Sequence, residues 1–308
     1  MSKLDLLKFL QTYGDETEIA DFTPDELQEM IDRMNEDGEP LPLTKEEFKR
    51  RYFEYYDDVK DKSLKRQDWW EMKKYKYLIF DADYTLVNYK QDEIAALRRL
   101  YDEIGYPYDD EVLERSHHFS EKAWADAGLY EVHREDIQRE YHNLYWTHVD
   151  DLFKMEFALT GFAYDVKQAS KKLMQNLTAD GHFLPNAKET VQALYARGYK
   201  ICVATNGLID MQTGRLRLIL PYIEKLFASE ALGTIKPNRA FYEKMFAELQ
   251  TTADECLMIG DSLYSDIAGA NGVGMDSCWF DTRKLEEDEN IRPTFHIADL
   301  SELLTLLP

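Results

Sequence analysis

The chain has 308 residues, enough for two domains at roughly 150 residues each, and its 44% hydrophobic and 31% charged residues fit a folded globular protein. With 59 acidic against 37 basic residues the net charge is −22, which sets the surface against nucleic-acid polymers and anionic membranes as principal partners. No apolar run approaches the ~20 residues of a membrane span, and the N-terminus lacks the pattern of a signal peptide.

Residues 1–74 read as a helical accessory region. Thr23-Pro24-Asp25-Glu26 and Thr44-Lys45-Glu46-Glu47 carry capping signals, and Asn35 through Pro40 reads as a turn. Three short helices and no strand are expected there, with Trp69 and Trp70 placed to anchor them. The region has no phosphate-binding loop or metal-ligand spacing, so its expected use (over 1–72) is contact with a protein partner or a second copy of the chain. At 77–80 the apolar run Tyr-Leu-Ile-Phe stops at Asp81, as a buried parallel strand does. Residues 89–181 then read as a helical insertion, broken at Gly105-Tyr106-Pro107 and Ala127-Gly128. From Pro185 helix and strand alternate: a helix ending at Arg197-Gly198, a strand over 200–204, another over 256–259, and two more over 275–280 and 294–297. This pattern predicts an α/β fold, a doubly wound, Rossmann-like parallel sheet. Its core covers 75–88 and 182–308, with the insertion following the first strand. Cys202, Cys256 and Cys278 show neither a disulfide framework nor metal spacing, which suits a reducing, cytoplasmic setting.

The chemistry gathers where strands end. In open α/β sheets the ligand crevice lies beyond the carboxyl ends of the strands. The first strand ends in Asp81-Ala82-Asp83-Tyr84-Thr85, the second in Thr205-Asn206-Gly207, and a later one in Gly260-Asp261-Ser262 with Asp266 just beyond. Crowded carboxylates repel one another unless a cation neutralises them, and hard oxygen ligands with room for a phosphate suit Mg²⁺. Lys236, followed by Pro237, supplies positive charge. Alone, each signal is ordinary turn or cap chemistry; four of them in this order at strand ends point to a site.

These four motifs resemble those of the haloacid dehalogenase superfamily phosphohydrolases over roughly 75–308. Two stretches, 207–218 with Gln212 and Arg215, and Ser277-Cys278-Trp279-Phe280, resemble the pyrimidine 5'-nucleotidase branch more narrowly. The resemblance implies a Mg²⁺-dependent phosphate monoester hydrolase working through an aspartyl-phosphate. In it Asp81 is the nucleophile and Asp83 the general acid and base. Thr205, Asn206 and Lys236 bind the phosphoryl group; Asp81, the Asp83 carbonyl and Asp261 hold the metal; Asp266 stands behind them. It also makes 89–181 a cap over the site and the substrate a small phosphorylated metabolite, a nucleoside 5'-monophosphate foremost, with Trp124, Tyr145 or Trp146 as stacking groups. The alternatives are a sugar-phosphate or phosphoglycolate-type phosphatase, or a phosphomutase. Dehalogenases and phosphonatases lack the second carboxylate, so Asp83 disfavours both. A catalytically silent scaffold would have shed a motif residue, and none is lost.

Other features have structural explanations. His117 and His118 are adjacent, so their rings point to different helix faces and suit packing rather than a shared metal. Tyr141, Tyr145 and Trp146 lie at helical spacing and are expected to pack the insertion. The acidic run 286–289 reads as a solvated loop.

Overall fold

The computed structural model describes residues 75–179, 181–282 and 288–307. The helices and turn expected over 1–74, with Trp69 and Trp70, lie outside these residues, as do Glu286 and Glu287 of the acidic run. After β1 (Tyr77–Phe80) come four helices, α1 (Tyr89–Ile104), α2 (Asp110–Asp126), α3 (Glu135–Thr160) and α4 (Val166–Asn176). The α/β alternation follows: α5 (Ala187–Ala196), β2 (Lys200–Thr205), α6 (Ile209–Arg215), β3 (Ile223–Ala228), α7 (Ser229–Leu232), α8 (Arg239–Leu249), β4 (Cys256–Gly260), α9 (Ala268–Val273), β5 (Asp276–Phe280), β6 (Phe295–Ile297) and α10 (Leu303–Leu306).

Among the described residues six strands form one sheet in the order β3-β2-β1-β4-β5-β6, all pairs parallel. Strand side chains alternate between faces. Leu78 and Phe80 of β1 therefore join Ile201, Val203, Leu257 and Ile259 in a core under α5 and α10. Tyr77 and Ile79 join Cys202, Ala204 and Met258 against Phe241, Tyr242 and Met245 of α8. With both faces covered, β1 and β4 are buried along their whole length. The strand order reverses direction between β1 and β4, so the crevice beyond their carboxyl ends is the topological switch point.

β3 was not expected from the sequence. Glu224 and Lys225 interrupt its apolar pattern, and it lies at the sheet edge, where one side has no neighbour to exclude water.

The four inserted helices have local causes. Asn88, Asp109 and Asp165 cap α1, α2 and α4 by accepting the backbone N–H of Gln91, Val112 and Gln168. Gly105 and Gly161 end α1 and α3 in the left-handed conformation. The helices share an apolar core that includes Leu97, Leu100, Tyr141, Tyr145, Leu152, Phe153 and Leu173, and it continues into Leu208, Met211 and Ile235 of the α/β part. As expected, Tyr141 and Tyr145 pack inside. Among the described residues no helix is long and apolar enough to cross a membrane.

His148 of α3 is 1% exposed, edge-on to Trp124 and Tyr145, and its Nδ1 has no hydrogen-bond partner. Burial pulls its pKa from 6.5 down to about 4. The unfolded chain thus takes up a proton here between pH 6.5 and 4 that the folded chain refuses, so folding loses stability as pH falls through that window, by up to about 3 kcal/mol. In denaturant titrations at pH 7 and 5, His148→Gln is expected to lose about 2 kcal/mol less than the wild type on acidification; equal losses would contradict this.

Candidate active site

The loop after β1 is pinned before any side chain acts. The Asp81 N–H donates to the Ile259 carbonyl of β4 at 2.8 Å, and the N–H groups of Leu86 and Val87 donate back to Ala82. This tight turn holds Tyr84 at φ 58°, a left-handed conformation a tyrosine adopts only when its surroundings impose it. The buried Thr85 hydroxyl accepts the Asp261 N–H at 3.1 Å, tying the loop after β1 to the loop after β4.

Asp81 is 8% exposed and faces a buried cation. Lys236 Nζ lies 2.6 Å from Asp81 Oδ1, 2.6 Å from Asp266 Oδ1 and 2.6 Å from the Ala204 carbonyl of β2. Burial works against the ammonium charge, but Asp266 and Asp81 outweigh it and hold the pKa above the ordinary lysine range. Asn206 fixes the backbone behind this side chain: its Oδ1 accepts the Lys236 N–H at 2.8 Å and its Nδ2 donates to the Lys236 carbonyl at 2.9 Å. Asp266 sits in the turn Leu263–Ile267, where its Oδ2 accepts the Ser262 N–H at 3.1 Å. Gly260 makes room for it, since a Cβ there would come within 2.2 Å of that same oxygen.

Carboxylate oxygens of Asp81, Asp261 and Asp266 lie within 4.8 Å of one another. Burial first, then Asp266, Asp261 and Asp83 as neighbours, push the Asp81 carboxyl well above its ordinary range, with Lys236 pulling the other way. A hard cation among these oxygens would remove that repulsion, so the donor set fits a divalent metal.

Asp83 is held from the helix that follows β2. Gln212 Nε2 donates to its Oδ2 at 2.6 Å and Arg215 Nη1 to its Oδ1. Gln212 Nε2 also reaches Thr205 Oγ1 at 3.2 Å, and the same hydroxyl accepts the Gly207 N–H at 3.0 Å. Both Gln212 and Arg215 belong to the short helix α6. Its first N–H, from Ile209, is accepted by Glu230, and its Gly214 packs so closely that a Cβ would reach within 1.8 Å of the Thr178 carbonyl.

A cavity of about 290 Å³ joins these groups to the inserted helices. Asp81, Asp83, Thr205, Asn206, Lys236 and Asp261 line one end. Tyr89, Trp124, Tyr141, Tyr145 and His148 line the other, with Glu93, His117 and Ser120. Glu93 is 1% exposed and accepts hydrogen bonds from Ser120 at 2.7 Å and Tyr89 at 3.3 Å, and it pairs with His117 Nδ1 at 2.5 Å. Burial would lower the His117 pKa, but Glu93 outweighs it and the net shift is upward.

The residues of the four motifs thus meet at one place, with Asp266 behind Lys236 rather than on the cavity wall. Trp146 does not: it is 40% exposed and absent from the cavity lining, because consecutive helical residues point about 100° apart and Tyr145 takes the inner face. Glu93 and His117 were not foreseen as site residues. The available signal was polarity on an apolar stripe, since Glu93 shares its helix face with Leu97 and Leu100. His118 is exposed while His117 is buried, as their adjacency implied.

The comparisons agree with this geometry. The family model for haloacid dehalogenase-like hydrolases matches residues 75–274. The chain is 31% identical over 236 residues to the pyrimidine 5'-nucleotidase PynA of Streptococcus pneumoniae, covering 76% of this chain and 95% of that protein. It is 30% identical over 214 residues to a ribulose-1,5-bisphosphate 5-phosphatase of Halopiger xanaduensis, covering 66% and 84%. Among solved structures it resembles the HAD-hydrolase YfnB of Bacillus subtilis, solved bound to magnesium, with a TM-score of 0.64 and 26% identity over 76% of this chain and 99% of that one. A parallel sheet that ends in these carboxylates and this lysine, matched by that family over 75–274, leaves one assignment: the chain belongs to the haloacid dehalogenase-like hydrolases and is a phosphatase of that family.

Proposed function

We propose that this phosphatase hydrolyses a small phosphate monoester, foremost a nucleoside 5'-monophosphate, through an aspartyl-phosphate on Asp81. The observation that carries this is the single cavity, with nucleophile, acid–base and cationic groups at one end and a largely aromatic wall at the other. Lys236 fixes one oxygen of Asp81, leaving the other to attack phosphorus. The ester P–O bond breaks as Asp83 gives its proton to the departing oxygen. Water then attacks the phosphoryl group while Asp83 takes back a proton, and the Asp81–phosphorus bond breaks to release phosphate. Thr205 and the Asn206 backbone amide donate to the phosphoryl oxygens, and Lys236 offsets their charge.

Asp81, the Asp83 carbonyl and Asp261 would hold Mg²⁺, with Asp266 orienting Lys236 rather than binding the ion directly. When bound, the ion neutralises phosphate charge at the nucleophile. Support comes from the crowded oxygens and from the magnesium in YfnB. Residues 89–181 serve as the cap, supplying the wall that excludes water and selects substrate. The three cysteines are free and buried, which fits a reducing, cytoplasmic setting. Residues 1–72 contribute no catalytic group and serve a partner or dimer contact.

A nucleotide is favoured by the first-named relative and by the flat rings of Tyr89, Trp124 and Tyr145. The second candidate, a sugar phosphate, rests on the Halopiger relative and on the polar group of Glu93, His117 and Ser120, which would suit hydroxyls.

Three measurements decide. Asp81→Asn is expected to reduce phosphate release to background. Chelation is expected to stop the wild type, with Mg²⁺ restoring it and Ca²⁺ doing so poorly; turnover after exhaustive chelation would contradict the metal role. In a panel of phosphorylated metabolites, nucleoside 5'-monophosphates should give the highest kcat/KM. A sugar phosphate preferred by tenfold or more, with negligible nucleotide turnover, would replace the nucleotide.

A further inference from the structure

Arg215 is fully buried and lies off the cavity wall, yet it ends on Asp83. Its guanidinium is shared. Nη1 donates to Asp83 Oδ1 and lies 3.2 Å from Gln212 Oε1, while Nε donates to Asp92 Oδ2 at 2.6 Å. Asp92 belongs to the first inserted helix, α1, and is 4% exposed. Its other oxygen accepts the backbone N–H of His182 at 2.7 Å and faces His182 Nδ1 at 2.7 Å. The Tyr89 ring centroid lies 5.3 Å from the guanidinium carbon. The second connection is a backbone hydrogen bond: the Arg215 carbonyl accepts the Gly181 N–H at 3.0 Å, where the chain returns from the insertion. One hydrogen-bonded line therefore runs from the loop after β1, through α6, into α1 and back to His182.

A carboxylate that gives and takes a proton at one ester oxygen must be held in one orientation. Gln212 and Arg215 bind its two oxygens from the same short helix, and the planar guanidinium fixes the angle between its two carboxylate partners, as a lysine ammonium cannot. Asp92 in turn keeps the guanidinium from rotating away. We propose that Arg215, anchored by Asp92, is a positioning residue that sets the orientation at which Asp83 transfers its proton to the leaving oxygen. This rests on Asp83 acting as acid and base, as proposed above.

The test compares two substrates whose leaving groups differ in their need for a proton. A nucleoside 5'-monophosphate releases an alkoxide that must be protonated; 2,4-dinitrophenyl phosphate releases a stable phenolate. Comparing kcat/KM confines the readout to steps through ester cleavage, before water attacks. For Arg215→Lys, kcat/KM on the nucleotide is expected to fall about 100-fold, and on the dinitrophenyl ester less than tenfold. Asp92→Asn touches neither Asp83 nor the cavity, and it is expected to show the same split at about tenfold on the nucleotide. It decides alone if Arg215→Lys fails to fold, as judged by its thermal transition. Equal losses on both substrates, or none on either, in the folded variants would overturn the proposal. Asp83→Asn separates the two levels: if it shows the split and the other variants do not, only the role of Arg215 falls. If Asp83→Asn shows no split, the acid–base role of Asp83 falls with it.

Discussion

One buried ammonium organises the active end of this molecule. Lys236 is 1% exposed, and its Nζ is met by Asp81, Asp266 and the Ala204 carbonyl, each at 2.6 Å. Those partners come from the ends of β1 and β2 and from the turn after β4, so one charge holds three strand ends in fixed relation. Taking an ion out of water costs several kcal/mol, and only close partners offset that. The structure meets the requirement on both sides: Asn206 grips the lysine backbone at N–H and carbonyl, and Gly260 lets Asp266 approach. Remove the lysine and Asp81 and Asp266 would be left as buried like charges.

Even with Lys236 in place the carboxylates outnumber the cations. Asp81, Asp83, Asp261 and Asp266 face Lys236 and Arg215, and Arg215 is also claimed by Asp92. A divalent cation among these oxygens would offset that excess of negative charge. The inserted helices close the cavity over these groups with aromatic rings, and electrostatic interactions strengthen where water is excluded. The fold places this chemistry at the switch between β1 and β4, where neighbouring connections diverge and leave a crevice.

How much of this could be read in advance depended on distance along the chain. Asp81, Thr205 and Asp261 announce themselves because each follows a short apolar strand directly, and a polar residue at such a boundary is a local pattern. β3 escaped because Glu224 and Lys225 are tolerated at an edge and hide its periodicity. The ties from Arg215 to Asp83 and to Asp92 span more than a hundred residues and leave no local trace. The clue to Arg215 was the likeness to a known branch, and that likeness did not say what the side chain touches. Glu93 shows the same limit: its position on an apolar stripe marked it as buried, but only packing with His117 and Ser120 of α2 shows that it borders the cavity.

The claim on which the rest turns is that Asp81 becomes covalently phosphorylated. The most direct measurement is to quench the enzyme with acid during steady turnover of a good substrate with Mg²⁺, then digest it and weigh its peptides by mass spectrometry. The account predicts one added phosphoryl group on the peptide containing Asp81, present during turnover and gone once substrate is exhausted. An active enzyme that carries the group on another residue, or carries none while phosphate is being released, would contradict it.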